Sequence, residues 1–266
     1  MSLVAGLQLP TLPMSDAKLD YYFRICAKKG IGIVVLGEYV LNSFFKELST
    51  MPQSMAKEQS NYKIKSLKAL SAKYELTVIA PLVLVKKEGF VKVTAKFSPR
   101  STHYYPQHWL IHFKHWNEEK FFLEPEAGYD LPVFVHEGVR YGIVNGFEAY
   151  FDAVWAEVDK KRVDAVLMPS VSAFDSGSRW RELLRMRALT HNVYILRTNR
   201  IGSYKEKESS WHFYGDSFLV NPHGEIEVSL ADKEELLVAT IDKALLTEAR
   251  RVWGWRTQWA KKGVIV

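Results

Sequence analysis

The sequence lacks most of the features that mark secreted or membrane proteins. It contains one cysteine, Cys26, which excludes an intrachain disulfide framework. The opening residues MSLVAGLQLP lack the basic n-region of a signal peptide. No apolar run reaches the roughly 20 residues that a membrane-spanning helix requires. We therefore expect a soluble, cytoplasmic protein that has no membrane partner.

Glycine and proline are too scattered to mark a linker. The 15 glycines and 10 prolines are spread along the chain, and neither a low-complexity run nor a repeat of fixed period is present. With 266 residues, of which 47% are hydrophobic, the chain can bury a large core. We predict a single domain that covers residues 1–266.

Acidic residues are slightly fewer than basic ones, and the formal net charge is +6. Such a balance also occurs in proteins that bind nucleic acids. Here, however, the basic residues are dispersed beside acidic ones, and no RNA-binding signature or basic helix with interleaved aromatic residues is present. We therefore predict no nucleic-acid partner.

The hydrophobic pattern predicts a mixed α/β fold. Apolar residues at helical spacing predict helices near 15–30, 64–73, 147–160 and 180–191, with Cys26 on the buried face of the first. Apolar or alternating runs predict strands at 3–8, 31–36, 77–85, 90–97, 131–135, 138–144, 163–168, 193–198 and 234–241. Two groups of strands flanked by helices predict two sheets packed face to face in a four-layer α-β-β-α sandwich.

Residues 140–152, RYGIVNGFEAYFD, predict a strand, a sharp turn and a helix. The apolar run from Tyr141 to Val144 breaks at Asn145 and Gly146, before an amphipathic segment that starts near Phe147. Such a junction places one residue at the end of a sheet, where the backbone N–H groups of the turn face the same point. We expect a pocket at this junction.

This stretch resembles the nitrilase, or carbon–nitrogen hydrolase, superfamily, in particular its amidase and N-carbamoyl amidohydrolase branch. Members carry a strand that ends G-V-x-I-C-[YF]-[DE], and the cysteine attacks an amide or nitrile carbon. Residues 142–148, GIVNGFE, follow this pattern up to the cysteine position, which Gly146 occupies. The resemblance implies that Phe147 and Glu148 bind substrate, that the N–H of Phe147 helps to stabilise an oxyanion, and that covalent chemistry lacks its thiol.

A glutamate follows the predicted strand at residues 31–36. A carboxylate at the end of a buried strand is costly unless it is paired or used in chemistry. In the superfamily the second strand ends in P-E, and this sequence has Gly37 and Glu38 there. The resemblance therefore implies that Glu38 is the general base.

Residues 112–116, HFKHW, resemble the family motif Y-R-K-x-H, with an acidic stretch after it. The resemblance implies that Lys114 stabilises the oxyanion and that Glu119 orients the lysine and the substrate. A lysine suits this role because its ammonium group is a compact charge that can sit where negative charge develops. Phe113 and Trp116 replace the arginine and histidine of the motif.

Four histidines lie in the same region, and histidine is a common metal ligand. They occupy positions 103, 108, 112 and 115, and no cysteine or acidic ligand completes a recognisable metal-binding spacing. The family needs no metal. We predict neither a metal nor a cofactor.

Later segments extend the resemblance to about residue 256. Residues 164–170, DAVLMPS, resemble the family segment A-D-[IL]-[IL]-x-x-P-[ST], which implies that Ser170 and Ser172 line the pocket. Neither serine has an evident base at a suitable spacing, so we do not expect either to be a nucleophile. The tail, residues 250–266, resembles an arm that packs across a dimer partner, which implies a homodimer or a higher homo-oligomer.

Two hypotheses follow from these motifs. In the first, the chain hydrolyses a small linear amide or N-carbamoyl amine in a form without the nucleophilic thiol. In the second, it is a catalytically silent family member that binds a small amide or carboxylate, or serves as an assembly subunit. Under either hypothesis we expect a polar, water-filled space where the cysteine side chain would stand beside Gly146.

Overall fold

The computed structural model describes residues 1–125, 127–206 and 209–262, and within these ranges two six-stranded sheets form the centre of the protein. The strands of the first sheet are β1 (Ser2–Gln8), β2 (Ile33–Leu36), β3 (Thr77–Val85), β4 (Phe90–Ser98), β5 (Ser101–Pro106) and β14 (Glu235–Ile241). Those of the second are β6 (Val133–His136), β7 (Val139–Ile143), β8 (Ala165–Ser170), β9 (Tyr194–Asn199), β12 (Phe218–Val220) and β13 (Ile226–Ser229). The first sheet has the order β14-β1-β2-β3-β4-β5, and the second has the order β13-β12-β9-β8-β7-β6. A separate hairpin joins β10 (Ile201–Glu206) to β11 (Ser209–Tyr214).

Helices cover the outer faces of both sheets. They are α1 (Ala17–Lys28), α2 (Phe45–Leu48), α3 (Gln53–Tyr74), α4 (Asp152–Lys160), α5 (Gly177–His191), α6 (Lys243–Trp253) and α7 (Trp255–Lys261), with a 3-10 helix at Gly146–Tyr150. In α1 the buried residues Leu19, Phe23 and Cys26 follow the helical spacing. The helix predicted at 64–73 is the second half of α3, and the one predicted at 147–160 is divided into the 3-10 helix and α4. None of the described helices is long and apolar enough to span a bilayer.

Three apolar layers hold the sheets and helices together. Between the sheets, Val4, Ile33 and Val35 pack in one cluster with residues of β7, β8 and β9. Outside the first sheet, side chains of β1, β2 and β3 pack against α1 and α3. Outside the second sheet, side chains of β8 and β9 pack against α4 and α5. The predicted four-layer α-β-β-α sandwich is confirmed.

The site is formed where strand ends from the two sheets meet. Strands β1, β2 and β3 run parallel to one another, as do β7, β8 and β9. The backbone N–H of Glu38, two residues after β2, donates to the carbonyl of Ser170 at the end of β8, with an N to O distance of 3.1 Å. This hydrogen bond joins the two sheets beside Gly146, the first residue after the turn that follows β7.

Candidate active site

Glu38 lies at the floor of the site and is buried. The chain turns sharply after it, since Tyr39 has a φ of 57°, a conformation that is strained for a bulky residue and is more frequent at functional sites. Gly37 precedes it because the Cβ of any other residue would lie 2.9 Å from the backbone nitrogen of Arg200. The backbone before and after Glu38 is thus constrained, and this fixes the position of its carboxylate.

The lysine that meets Glu38 comes from β4. The Nζ of Lys92 lies 2.5 Å from Oε2 of Glu38 and 2.8 Å from Oε2 of Glu118, and all three side chains are buried. Glu118 also accepts hydrogen bonds from the Tyr39 hydroxyl, at 2.6 Å, and from the indole N–H of Trp116, at 3.2 Å. We refer to Glu38, Lys92 and Glu118 as the deep cluster.

Burial and charge act in opposite directions on the deep cluster. Burial raises the pKa of Glu38 from 4.5 to about 7, against the opposing effects of the Lys92 charge and of the Gly146 backbone N–H. Burial alone would lower the pKa of Lys92, but the charges of Glu118 and Glu38 outweigh it and keep that pKa above its ordinary value. Glu38 therefore changes its protonation near neutral pH while Lys92 remains a cation.

Gly146 lies against Ser170 without room for a side chain. A Cβ built on Gly146 would lie 2.9 Å from Cβ of Ser170, 3.2 Å from its Cα and 3.3 Å from Oε1 of Glu38. The first distance is shorter than real Cβ atoms tolerate. Ser170 therefore crowds the position directly beside Gly146, and the expected water-filled space stays a prediction.

The structure does not bring Lys114 and Glu119 into the site. Both side chains are exposed, and neither lines the cavity beside Glu38. The N–H of Glu118 donates to the carbonyl of Ile111 at 2.6 Å, so the chain folds back on itself. Trp116 and Glu118 are consequently buried, whereas residues 112–115 are exposed, and of these Phe113 and His115 line the cavity. The lysine and the second glutamate beside Glu38 are Lys92 and Glu118, so the predicted placement of Lys114 and Glu119 is corrected.

The remaining predicted residues divide into two groups. Phe147 and Ser172 line the cavity. Glu148 instead closes the turn after β7, because its carboxylate accepts from the N–H of Asn145, at 3.0 Å, and from the N–H of His108, at 2.8 Å. Ser170 does not line the cavity either, and it packs beneath Gly146. The predicted substrate contacts of Glu148 and Ser170 are therefore replaced by structural ones.

A cavity of about 600 Å³ opens from the deep cluster towards solvent. Glu38 stands at its buried end, and Arg179, whose side chain is exposed, stands at its mouth. Aromatic side chains form much of the wall: Phe113, Trp116, Phe147, Tyr150, Phe174 and Trp180. A site of this size, apolar with few polar groups, suits a small organic ligand.

One wall of the cavity is a strained turn. Phe174 and Asp175 have φ values of 62° and 46°, both in the left-handed region. The ring of Phe174 packs edge-on against Trp211, with centroids 4.8 Å apart, and against His115, with centroids 5.0 Å apart. Strain of about 1–3 kcal/mol per residue persists only where the surroundings enforce it, and it is frequent at ligand clamps.

Two of the histidines of this region, His108 and His115, lie in different surroundings. His115 lines the cavity beside Phe174, whereas His108 contacts Trp109 and Tyr129. Within the part of the chain that the structure describes, no three histidine, cysteine or acidic side chains are grouped to hold a metal ion.

Comparisons with known proteins identify the family and the fold. The carbon–nitrogen hydrolase family profile matches residues 14–251. The chain belongs to the carbon–nitrogen hydrolase family. An N-carbamoylputrescine amidase from Solanum tuberosum is 27% identical over 150 residues, which cover 52% of this chain and 49% of that protein. The chain thus spans about half the length of the curated relatives it matches first.

Solved structures of the family share the fold over nearly the whole chain. A carbon–nitrogen hydrolase from Helicobacter pylori superposes with a TM-score of 0.84 and 20% identity, covering 96% of this chain and 94% of the other. A cysteine-to-alanine variant of an amidase from Nesterenkonia sp., solved in complex with butyramide, superposes with a TM-score of 0.76 and 18% identity. It covers 95% of this chain and 97% of that one. At these identities the likeness concerns the fold.

Proposed function

We propose that this carbon–nitrogen hydrolase family member binds a small amide-like molecule in the cavity above Glu38 and does not cleave it through a thioester. The proposal depends chiefly on Gly146, which stands where the resemblance places the nucleophilic cysteine. The space for a Cβ there is closed by Ser170. Residue 146 therefore supplies no thiol, and the atoms around it are packed closely against a glycine backbone.

Other nucleophiles do not replace the thiol. Cys26 lies in the core between the first sheet and its helices, and burial raises its pKa to about 12. The hydroxyl of Ser172 accepts from the Arg197 guanidinium at 2.8 Å. That of Ser176 donates to the carbonyl of Ala173. A serine needs a base within hydrogen-bond reach to attack, and neither of these has one among the described contacts.

The deep cluster supports recognition of an amide. Near neutral pH the Glu38 carboxyl can accept a hydrogen bond from an amide N–H or, when protonated, donate one to a carbonyl. Lys92 adds a fixed positive charge at 2.5 Å from the same carboxylate. Removal of a nucleophile lowers the rate by orders of magnitude but need not abolish binding. The Nesterenkonia amidase variant without its cysteine, solved with butyramide, supports this reasoning by analogy.

A second candidate function is slow hydrolysis of a small linear amide or N-carbamoyl amine without a thiol. The observation that favours it is the pKa of Glu38, since about 7 is suited to a general base that activates water. Such a reaction lacks the thiolate and the division of the reaction into two easier steps, so its rate should be very low.

Binding and turnover can be measured together. Butyramide and an N-carbamoyl amine are titrated calorimetrically while ammonia release is followed over days. We expect saturable binding with no ammonia above the buffer blank, and weaker binding by Phe147→Ala. Ammonia release that disappears in Glu38→Gln would instead establish the second function. Absence of binding to any amide in the series would refute the first.

We also propose that the tail contributes to a homodimer. Trp253, Trp255 and Trp259 remain partly exposed on the described chain, although Arg256 anchors the tail to the carbonyls of His191 and Val163 at 3.0 and 2.7 Å. Aromatic residues left at a surface suit interface anchors. Residues 263–266 lie outside the described residues.

Point variants test this proposal better than truncation, because truncation also removes the Arg256 contacts. Trp253→Ser combined with Trp255→Ser should give a monomer by light scattering, whereas Tyr21→Ser, which changes an exposed aromatic residue of α1, should not. The same mass for all three proteins would contradict a role for the tail.

A further inference from the structure

The two glutamates of the deep cluster share one cation. The Lys92 ammonium contacts Oε2 of Glu38 at 2.5 Å and Oε2 of Glu118 at 2.8 Å, and the backbone N–H of Gly146 also faces Glu38. A single lysine offsets one carboxylate charge, so one negative charge remains in excess when both glutamates are ionised. Like charges that share a buried site disfavour one another, and a proton on either carboxyl removes the excess.

The side-chain donors other than Lys92 all contact Glu118. Its Oε1 accepts from the Tyr39 hydroxyl at 2.6 Å and from the indole N–H of Trp116 at 3.2 Å. Among the described residues, no second side chain donates to Glu38. Hydrogen bonds to a carboxylate favour its ionised form. These contacts therefore stabilise the charge on Glu118 and leave the proton to Glu38.

Tyr39 is held in place by its own backbone. Its φ of 57° is strained for a bulky residue, and its carbonyl accepts from the Thr11 hydroxyl at 2.9 Å and the Arg200 guanidinium at 3.0 Å. The Lys92 ammonium lies over its ring, 4.9 Å from the centroid. Burial raises the pKa of Tyr39 well above its ordinary value, so the phenol stays protonated and remains a donor.

We propose that Tyr39 is the positioning residue that places the exchangeable proton of the deep cluster on Glu38. Its hydroxyl keeps Glu118 ionised and paired with Lys92. Of the two glutamates, Glu38 is the one that lines the cavity, and it is then the one that gains and loses a proton. Glu38 can consequently offer an amide either a donor or an acceptor, and this consequence rests on the proposed binding function. The placement of the proton itself is a property of the unliganded protein.

Tyr39→Phe tests the proposal, because it removes the hydroxyl and retains the ring beneath Lys92. Protein labelled with carbon-13 at the glutamate carboxyl carbon is titrated by NMR, and Glu38→Gln and Glu118→Gln identify the two resonances. In the original protein Glu38 should titrate at about pH 7 while Glu118 stays a carboxylate. In Tyr39→Phe the proton should shift towards Glu118 by about tenfold, so that both resonances titrate.

Two further variants show whether the shift comes from a donor to Glu118. Tyr141→Phe is the matched control, since it removes a buried hydroxyl that makes no hydrogen bond to the deep cluster, and both resonances should stay as in the original protein. Trp116→Phe removes the longer hydrogen bond to Glu118 and should shift the proton in the same direction as Tyr39→Phe, but by less.

The outcomes separate this proposal from the binding function. A Tyr39→Phe protein in which Glu38 alone still titrates would overturn the role of Tyr39, as would a Glu118 resonance that already titrates in the original protein. Calorimetric titration of the original protein and Tyr39→Phe with butyramide reports on binding separately. Failure of both proteins to bind would count against the binding function and leave the NMR result unaffected.

Discussion

The deep cluster and the Gly146 junction meet at the Glu38 carboxylate, but they differ in the side chains they hold. In the deep cluster, three buried charged side chains are held in mutual contact. At the junction, the nucleophile position has no side chain, and Ser170 packs where one would begin. The charged cluster around Glu38 is therefore intact, whereas the backbone at Gly146 is packed closely against Ser170.

This difference is informative because buried charges are costly. Desolvation of each ion costs several kcal/mol, and a buried ionic cluster can often be replaced by apolar residues without loss of stability. Lys92 and Glu118 nevertheless remain in contact beside Glu38, and this supports the proposed binding of a ligand there. The contrast between the two regions therefore favours a binding site over a decayed remnant.

Removal of the buried lysine should have the largest effect on stability. Lys92→Met leaves Glu38 and Glu118 buried without their cation, and we expect a loss of about 3–5 kcal/mol in the free energy of unfolding. Urea denaturation at pH 7 measures this loss. Lys87→Met, in the exposed turn between β3 and β4, is the matched control and should be nearly neutral.

Neutralisation of the whole cluster checks the cause of that loss. The triple variant Glu38→Gln, Lys92→Met and Glu118→Gln should recover much of the stability, because no unpaired charge remains. A triple variant as unstable as Lys92→Met alone would assign the loss to packing rather than to charge.

The titration of Glu38 should appear in the pH dependence of stability. Its pKa is raised from 4.5 to about 7 in the folded state, so the folded protein holds a proton that the unfolded chain has lost. The free energy of unfolding therefore falls as pH rises from about 4.5 to about 7, by at most about 3 kcal/mol. Glu38→Gln cannot titrate and should lack this decline.

Urea midpoints of the two proteins between pH 4.5 and pH 8 provide the measurement. The stability of the Gln variant relative to the original protein should increase towards pH 8. Parallel curves over this range would mean that Glu38 keeps an ordinary pKa.

Introduction of a thiol at residue 146 should destabilise the protein. Gly146→Cys drives a Cβ to 2.9 Å from Cβ of Ser170, and overpacking of this kind costs about 1–3 kcal/mol. Adding Ser170→Gly removes the closest atom and should recover part of the loss. Ser170→Gly alone serves as the control for the new glycine.

Measurements of amide hydrolysis should also distinguish these variants. Ammonia release from butyramide should be absent in Gly146→Cys and detectable only in the double variant, where the thiol has room beside Glu38. Hydrolysis by Gly146→Cys alone would indicate that Ser170 yields easily and that the junction is not committed to glycine.

The sequence predicts the fold because the hydrophobic patterns of its strands and helices are local and strong. β-Branched runs such as residues 31–36 are buried on both faces and predict strands without reference to the rest of the chain. Glu38 was identified because a carboxylate directly after such a run is costly unless it is used. Glu38 indeed stands at the floor of the cavity.

The partners of Glu38 did not follow from the sequence. Lys92 alternates with Val91 and Val93 in a pattern typical of a strand with one solvated face. In the structure β4 lies between β3 and β5, and the Lys92 side chain turns inward to two glutamates. Glu118 and Glu119 are adjacent, and only the fold of the loop decides which of them is buried. No local pattern distinguishes the two.

The smallest effects are expected at the two residues that the motif resemblance selected. Lys114 and Glu119 are exposed and do not line the cavity, so Lys114→Ala and Glu119→Gln should each change the free energy of unfolding by less than about 0.5 kcal/mol. Amide binding should be unchanged in both. Glu118→Gln, one residue away, should weaken amide binding and destabilise the fold, since it removes the charge that faces Lys92 at 2.8 Å. Calorimetry and urea denaturation on the adjacent pair Glu118→Gln and Glu119→Gln decide the matter, because the same chemical change is made at neighbouring positions. If Glu119→Gln were the damaging variant, the loop would have to rotate in solution and bring Lys114 towards Glu38, and the deep cluster would have to be redrawn around it.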